Sequence, residues 1–200
     1  MLRAGEEVFA EKGFEGARVE EIASKAGVNI RMLYHHYGSK EGLFLQVVEG
    51  IHKEIQARQD ALYRAEDHPR AFLERAMEDL FRFFRERPTF VRILGWITLS
   101  GERHGPMPSM GRDYALQVVR PRLGELAARG PWNPRIEPLY AIMMCWSLAL
   151  FWFLNREEFL SMLGKPPARE ADRVYLDQVL ALLEGGLLAE ASPGKGGRAP

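Results

Sequence analysis

The sequence predicts an all-α fold, with a three-helix N-terminal unit followed by a larger helical body. Apolar residues recur at helical spacing through nearly the whole chain. β-Branched residues are scattered, and no Asn-Gly or Asp-Gly pair separates two alternating apolar runs as a hairpin would require. Gly13, Gly27, Pro88, Pro131 and Gly164 punctuate the periodic segments.

The first helix turns Leu2, Val8 and Phe9 inward and stops at Gly13, since glycine takes the left-handed conformation of a helix end. Two short helices follow, split at Gly27. A longer one is capped by the Ser39 hydroxyl and runs through Leu43, Val47, Ile51 and Ile55 toward Leu62. Pro69 suits the first position of the next helix, where its missing N–H costs nothing, and Phe72, Ala76, Leu80, Phe83 and Phe84 continue it to Pro88. Phe90 to Leu99 forms another helix, and the Gly- and Pro-rich stretch Gly101 to Gly111 a loop. A helix from about Asp113 to Arg129 meets the breaker Pro131-Trp132-Asn133-Pro134. One long apolar helix is expected from Glu137 to Leu163, and a last one from Glu170 to Ala189 with Val179, Leu183 and Leu187 in line. The domain reading is 1–45 for the N-terminal unit, 46–190 for the body, and 191–200 as a disordered Gly- and Pro-rich tail.

Composition narrows the function classes. Of 200 residues 46% are apolar, enough for a real core, and 27 basic residues balance 27 acidic ones. A zero net charge gives no general attraction to polyanions, so binding to DNA has to come from a motif. The single Cys145 excludes an intramolecular disulfide and suits a reducing compartment, so a cytoplasmic location is expected. No basic stretch leads into an apolar run as in a secretory signal. Leu139 to Leu154 is 16 residues long, short of the ~20 that span a bilayer, and reads as a buried helix with no membrane partner.

Val19 to Tyr37 is the most informative stretch. When two helices cross closely, the first needs a small residue, the turn one that tolerates positive φ, and the second an apolar plug. Ala23, Gly27 and Leu33 meet these needs, with Ile22, Ala26 and Val28 completing a small core. The bare pattern also fits an ordinary helical hairpin. Its surroundings add Phe9-Ala10-Glu11-Lys12-Gly13-Phe14 before it and Leu33-Tyr34-His35-His36-Tyr37-Gly38-Ser39-Lys40-Glu41-Gly42-Leu43-Phe44 across its end. Together these strings, over about the first quarter of the chain, resemble the DNA-binding domain of the TetR family.

The resemblance implies a recognition helix from about Asn29 to His36 that enters the major groove. It implies that Leu33 and Tyr37 face inward, that Tyr34 and His36 touch the sugar-phosphate backbone, and that Lys40 meets a phosphate at the start of the fourth helix. Asn29, Arg31, Met32 and His35 occupy the variable positions and are the expected readers of base edges, Arg31 foremost because a guanidinium makes two bonds to guanine. Arg18 stands where the family usually has Ser or Thr as a helix cap; it cannot accept the capping bond but can reach a phosphate. Residues 1–45 hold six basic side chains (Arg3, Lys12, Arg18, Lys25, Arg31, Lys40) against seven acidic ones (Glu6, Glu7, Glu11, Glu15, Glu20, Glu21, Glu41), a net of −1. A head so balanced must gather its positive charge on one face and binds nonspecific DNA weakly.

The resemblance further implies a homodimeric regulator, a repressor that leaves an inverted-repeat operator when a small hydrophobic effector, with room for an anionic end, enters the body. Expected pocket residues are Phe83, Phe90, Trp96, Met143 and Trp146, because Met and aromatic side chains repack around a guest. Expected dimer contacts are Trp152, Val179, Leu183 and Leu187. No catalytic constellation is visible, and no cofactor or metal is implied: adjacent His35 and His36 point about 100° apart on a helix. His52-Lys53-Glu54 lacks the Cys pair a zinc deaminase needs. The competing readings are an all-helical carrier or enzyme for an apolar ligand, and a DNA-binding dimer without an effector.

Overall fold

The computed structural model describes residues 1–65, 68–100 and 110–188. Among these residues the chain forms eleven α-helices and one π-helical turn. They are α1 (Leu2–Gly16), α2 (Val19–Ala26), α3 (Ile30–Tyr37), α4 (Lys40–Ala65), α5 (Pro69–Glu86), α6 (Pro88–Ser100), α7 (Met110–Tyr114), the π turn (Ala115–Val119), α8 (Arg120–Ala128), α9 (Pro138–Leu154), α10 (Arg156–Met162) and α11 (Ala168–Leu187). Residues 101–109 of the expected loop and the whole expected tail lie outside the described residues.

Local chemistry explains most helix ends. Gly27 closes α2 at φ 66°, the left-handed conformation the turn into α3 requires. The Ser39 hydroxyl accepts the Gly42 N–H at 3.1 Å and caps α4, and Pro69 opens α5 behind His68, whose Nδ1 accepts the Arg70 N–H at 3.3 Å. The first helix departs from expectation at both ends. Gly13 does take positive φ, 70°, but helix resumes to Gly16, and Leu2 faces solvent while Ala4, Gly5, Val8 and Phe9 face inward.

The head and the body share one continuous core. Phe9 meets Phe44 edge-on at 5.0 Å, and Phe14 meets the same ring at 5.2 Å, which seats α1 on α4. Helix α4 then runs unbroken across residues 45 and 46 and carries Val47, Val48, Ile51 and Ile55 into the body. Helix α1 packs on α6 as well: Trp96 lies against Gly13 and its indole N–H donates to the Ala10 carbonyl at 3.3 Å.

The expected long helix from Glu137 to Leu163 is two helices, α9 and α10, bent by 75° at Asn155. A buried carboxylate lies against the bend. Asp172, on α11, is 1% exposed and receives Arg156 Nε at 3.0 Å, Arg156 Nη2 at 2.5 Å and the Trp152 indole N–H at 3.0 Å. A bidentate guanidinium at the start of α10 thus fixes its direction against α11. No single helix among the described residues is long and apolar enough to cross a membrane. The π turn precedes Pro121, whose missing N–H interrupts the regular ladder there.

Candidate nucleic-acid interface and body cleft

Helix α3 divides cleanly. Leu33 is buried, Ile30 and Tyr37 are half-buried, and Arg31, Met32, Tyr34, His35 and His36 are all exposed on the opposite side. The 3.6-residue period explains it, since 30, 33 and 37 form one stripe against α2 and α4. Asn29 departs in part from the role expected of it: its Oδ1 is the N-cap of α3, accepting the Arg31 N–H at 2.9 Å, which leaves only the amide NH2 to reach outward.

Charge on the head is sorted. Lys12 pairs with Glu21 at 2.6 Å, Lys25 with Glu7 at 2.9 Å and Arg3 with Glu7 at 3.3 Å, so three of the basic side chains are matched away from the recognition helix. The Glu7 carboxyl is held below its usual pKa by the hydrogen bond from Lys25. Lys40 is half-buried, donating to the Glu15 carbonyl at 3.1 Å and lying 4.7 Å from the centre of the Phe14 ring. Arg18 and Arg31 are exposed and form no ion pair with the described residues. These two guanidinium groups stand at the start of α2 and in the first turn of α3.

In the body, a cleft of about 520 Å³ opens between α4, the α7–π segment and α9. Leu116, Val119, Leu139, Ile142, Met143 and Trp146 form its apolar side, and His52, Gln56 and Gln59 project from α4. A narrower space of about 40 Å³, bordered by Phe83, Met77 and Cys145, adjoins it through Ile55, Gln59, Ile142 and Trp146. Burial pushes the Cys145 thiol up to about 12, so it stays protonated and inert.

Of the pocket residues expected from sequence, Met143 and Trp146 line the cleft and Phe83 borders the narrow space. Phe90 and Trp96 do not. Phe90 is fully buried between Phe83 and Phe84, and Trp96 joins body to head. Sequence reasoning missed the polar cleft side chains, although His52, Gln56 and Gln59 recur at helical spacing along α4. The residues expected at the dimer contact, Trp152, Val179, Leu183 and Leu187, are 2–5% exposed within the single chain, and the Trp152 indole N–H donates to Asp172. The same helices instead expose Tyr140, Met144 and Phe151 on α9, and Val174 and Leu182 on α11.

Head and body are also tied by charge. Glu6 of α1 receives the Thr89 hydroxyl and Arg87 Nη2, the latter at 3.3 Å. Arg87 Nη1 meets Glu54 of α4 at 3.1 Å, and Glu54, Asp79 and Glu86 surround Arg58 at 3.3 to 3.5 Å. Arg58 borders the narrow space beside the cleft. An ion-pair chain thus runs from the floor of the body to the first helix of the head.

Residues 1–47 match the family model described as bacterial regulatory proteins, tetR family. The HTH-type transcriptional repressor NicS of Pseudomonas putida is 31% identical over 167 residues, covering 82% of this chain and 79% of that relative. The chain belongs to the TetR family. It is a DNA-binding transcriptional regulator, and α2 and α3 are its helix-turn-helix. Among solved structures, the transcriptional regulator SCO4942 of Streptomyces coelicolor is 25% identical to this TetR-family chain, with a TM-score of 0.67 over 93% of this chain and 95% of that one. FadR of Bacillus subtilis, solved in complex with stearoyl-CoA, has a TM-score of 0.67 at 16% identity over 90% and 96%, a likeness of fold.

Proposed function

We propose that this TetR-family regulator is a homodimeric repressor whose head, residues 1–45, holds an inverted-repeat operator until a small, mainly apolar effector enters the α4–α7–α9 cleft. In this reading residues 46–190 bind the effector and dimerise. The observation that carries it is α4 itself: one unbroken helix has its start beneath the recognition helix and its middle in the cleft. From Lys40 to His52 is about 18 Å at 1.5 Å per residue, so a 5° tilt at the cleft moves the head by roughly 1.5 Å.

Arg31, Met32 and His35 read bases, while Arg18, Tyr34, His36 and Lys40 hold phosphates. The exposure of all but Lys40 supports this division, and Lys40 would exchange the Glu15 carbonyl for a phosphate oxygen. Two identical heads about one helical turn apart demand a palindromic site. Dimerisation through Tyr140, Met144, Phe151, Val174 and Leu182 would cover the apolar surface that α9 and α11 leave in water. The effector must favour the released state: moving a 99:1 equilibrium to 1:99 takes about 5.5 kcal/mol, which burial of about 220 Å² of apolar surface at ~25 cal/mol per Å² can supply.

The test is selection of duplexes from random sequence, followed by release of the selected duplex under a panel of apolar compounds. Enrichment of a palindrome and release by at least one compound are expected. Failure to enrich any palindrome would refute the operator reading, and binding without release would refute the coupling.

A further inference from the structure

The polar side of the cleft says more about the effector than its apolar side. His52, Gln56 and Gln59 stand at i, i+4 and i+7 on α4, so they share one face over roughly 10 Å. All three side chains are half-buried, and none forms a hydrogen bond to the described residues. Polar groups without protein partners are hydrogen-bonded to water in a solvent-open cleft. A wholly apolar guest would strip that water and leave carboxamides unsatisfied, each at a loss of about tenfold in affinity.

The charges nearby also limit the guest. Arg58 is already surrounded by Glu54, Asp79 and Glu86. Arg112 is 75% exposed and has Asp113 as a neighbour at 3.7 Å. Asp60 accepts the Tyr114 hydroxyl at 3.0 Å beside the cleft, adding a negative charge. Burial lowers the His52 pKa from its ordinary 6.5, so at neutral pH the imidazole is uncharged, with one donor and one acceptor.

We propose that the effector presents a neutral edge carrying both a donor and an acceptor, as in a carboxamide, imide or lactam, to Gln56 and Gln59 with His52, and lays an apolar body against Leu139, Ile142 and Trp146. A glutamine amide is complementary to that edge, since its carbonyl accepts the guest's N–H while its NH2 donates to the guest's carbonyl. Among the described residues the cation lining the cleft is Arg112, which is largely in solvent beside Asp113, so a carboxylate would gain little from it. The cleft volume, about 520 Å³, lies in the range that encloses a small organic ligand. The inference rests on the cleft being the effector site.

The experiment is calorimetric titration of the full chain with matched pairs, 2-naphthamide against 2-naphthoate and octanamide against octanoate, repeated on Gln56→Leu, Gln59→Leu and Ile142→Trp. The amides should bind at least tenfold more tightly than the acids, and each Leu variant should lose about tenfold for the amides alone. Acids binding as tightly as amides in the unaltered chain would overturn the proposal, whatever the variants do. Amide affinity unchanged in both folded Leu variants would overturn it too. Ile142→Trp fills the cleft, so amide binding that survives it, or no binding by either pair, sinks the cleft assignment itself.

Discussion

The head and the body of this regulator handle exposed side chains in opposite ways. On the head, Arg31 on the exposed face of α3 and Arg18 before α2 form no ion pair with the described residues, while Lys12 and Lys25 are held by Glu21 and Glu7. On the body the exposed face of α9 is apolar, and Tyr140 and Phe151 are 65% and 60% accessible while Trp152 beside them is 3%. A surface for DNA leaves charge unmatched, whereas the apolar area left uncovered on α9 is the surface we propose for a second copy of the chain. Neighbouring residues on one helix therefore have unrelated roles, and only their direction separates them.

The sharpest way to break that contrast is a paired substitution on α11. Leu183→Glu buries a carboxylate in the chain's own core and should cost more than about 4 kcal/mol, enough to unfold the body. Its neighbour Leu182→Glu lies on the exposed side and should leave the protomer folded within about 0.5 kcal/mol while converting dimer to monomer. Urea denaturation and sedimentation velocity read the two effects. A folded monomer from Leu183→Glu would restore that residue to the interface.

Next in size is Asp172→Ala, which leaves the Arg156 guanidinium and the Trp152 indole N–H without their shared acceptor. A loss of about 3 kcal/mol is expected in the urea transition. Little change there would mean that the α9–α10 bend is held by packing alone.

On the head, Arg31→Ala should lose about 1–3 kcal/mol per contacted base and relax preference at one position of each half-site. Arg18→Ala should weaken all duplexes alike and flatten the salt dependence by about one unit per lost phosphate contact. If the two variants behave interchangeably in titrations across salt, the split between reading and anchoring is wrong.

The smallest expected effect tests the link between the regions. Arg87→Gln removes a half-exposed cation from between Glu6 and Glu54, and should lower stability by under about 1 kcal/mol. Its larger effect should be on coupling, read as operator release per cleft site occupied. Release that tracks occupancy as in the unaltered chain would mean that α4 alone transmits the change.

The sequence by itself determined the all-α class, the turn at Gly27 and the Ser39 cap, because each depends on residues within about one or two helical turns, and its resemblance to the TetR family implied the side of α3 that faces outward. It also made Met143 and Trp146 candidates for the cleft. Only the tertiary structure decided that the apolar run from Glu137 breaks at Asn155, that Phe90 is core, that Trp96 docks on the head, and that Trp152, Val179, Leu183 and Leu187 are internal. Helix α9 is apolar nearly all round, so its periodicity does not distinguish the side that meets α5 and α11 from the side that meets water. That choice is made by distant partners: Arg156 and Trp152 turn toward Asp172, sixteen and twenty residues further along the chain, and α9 packs on α5, α6 and α8.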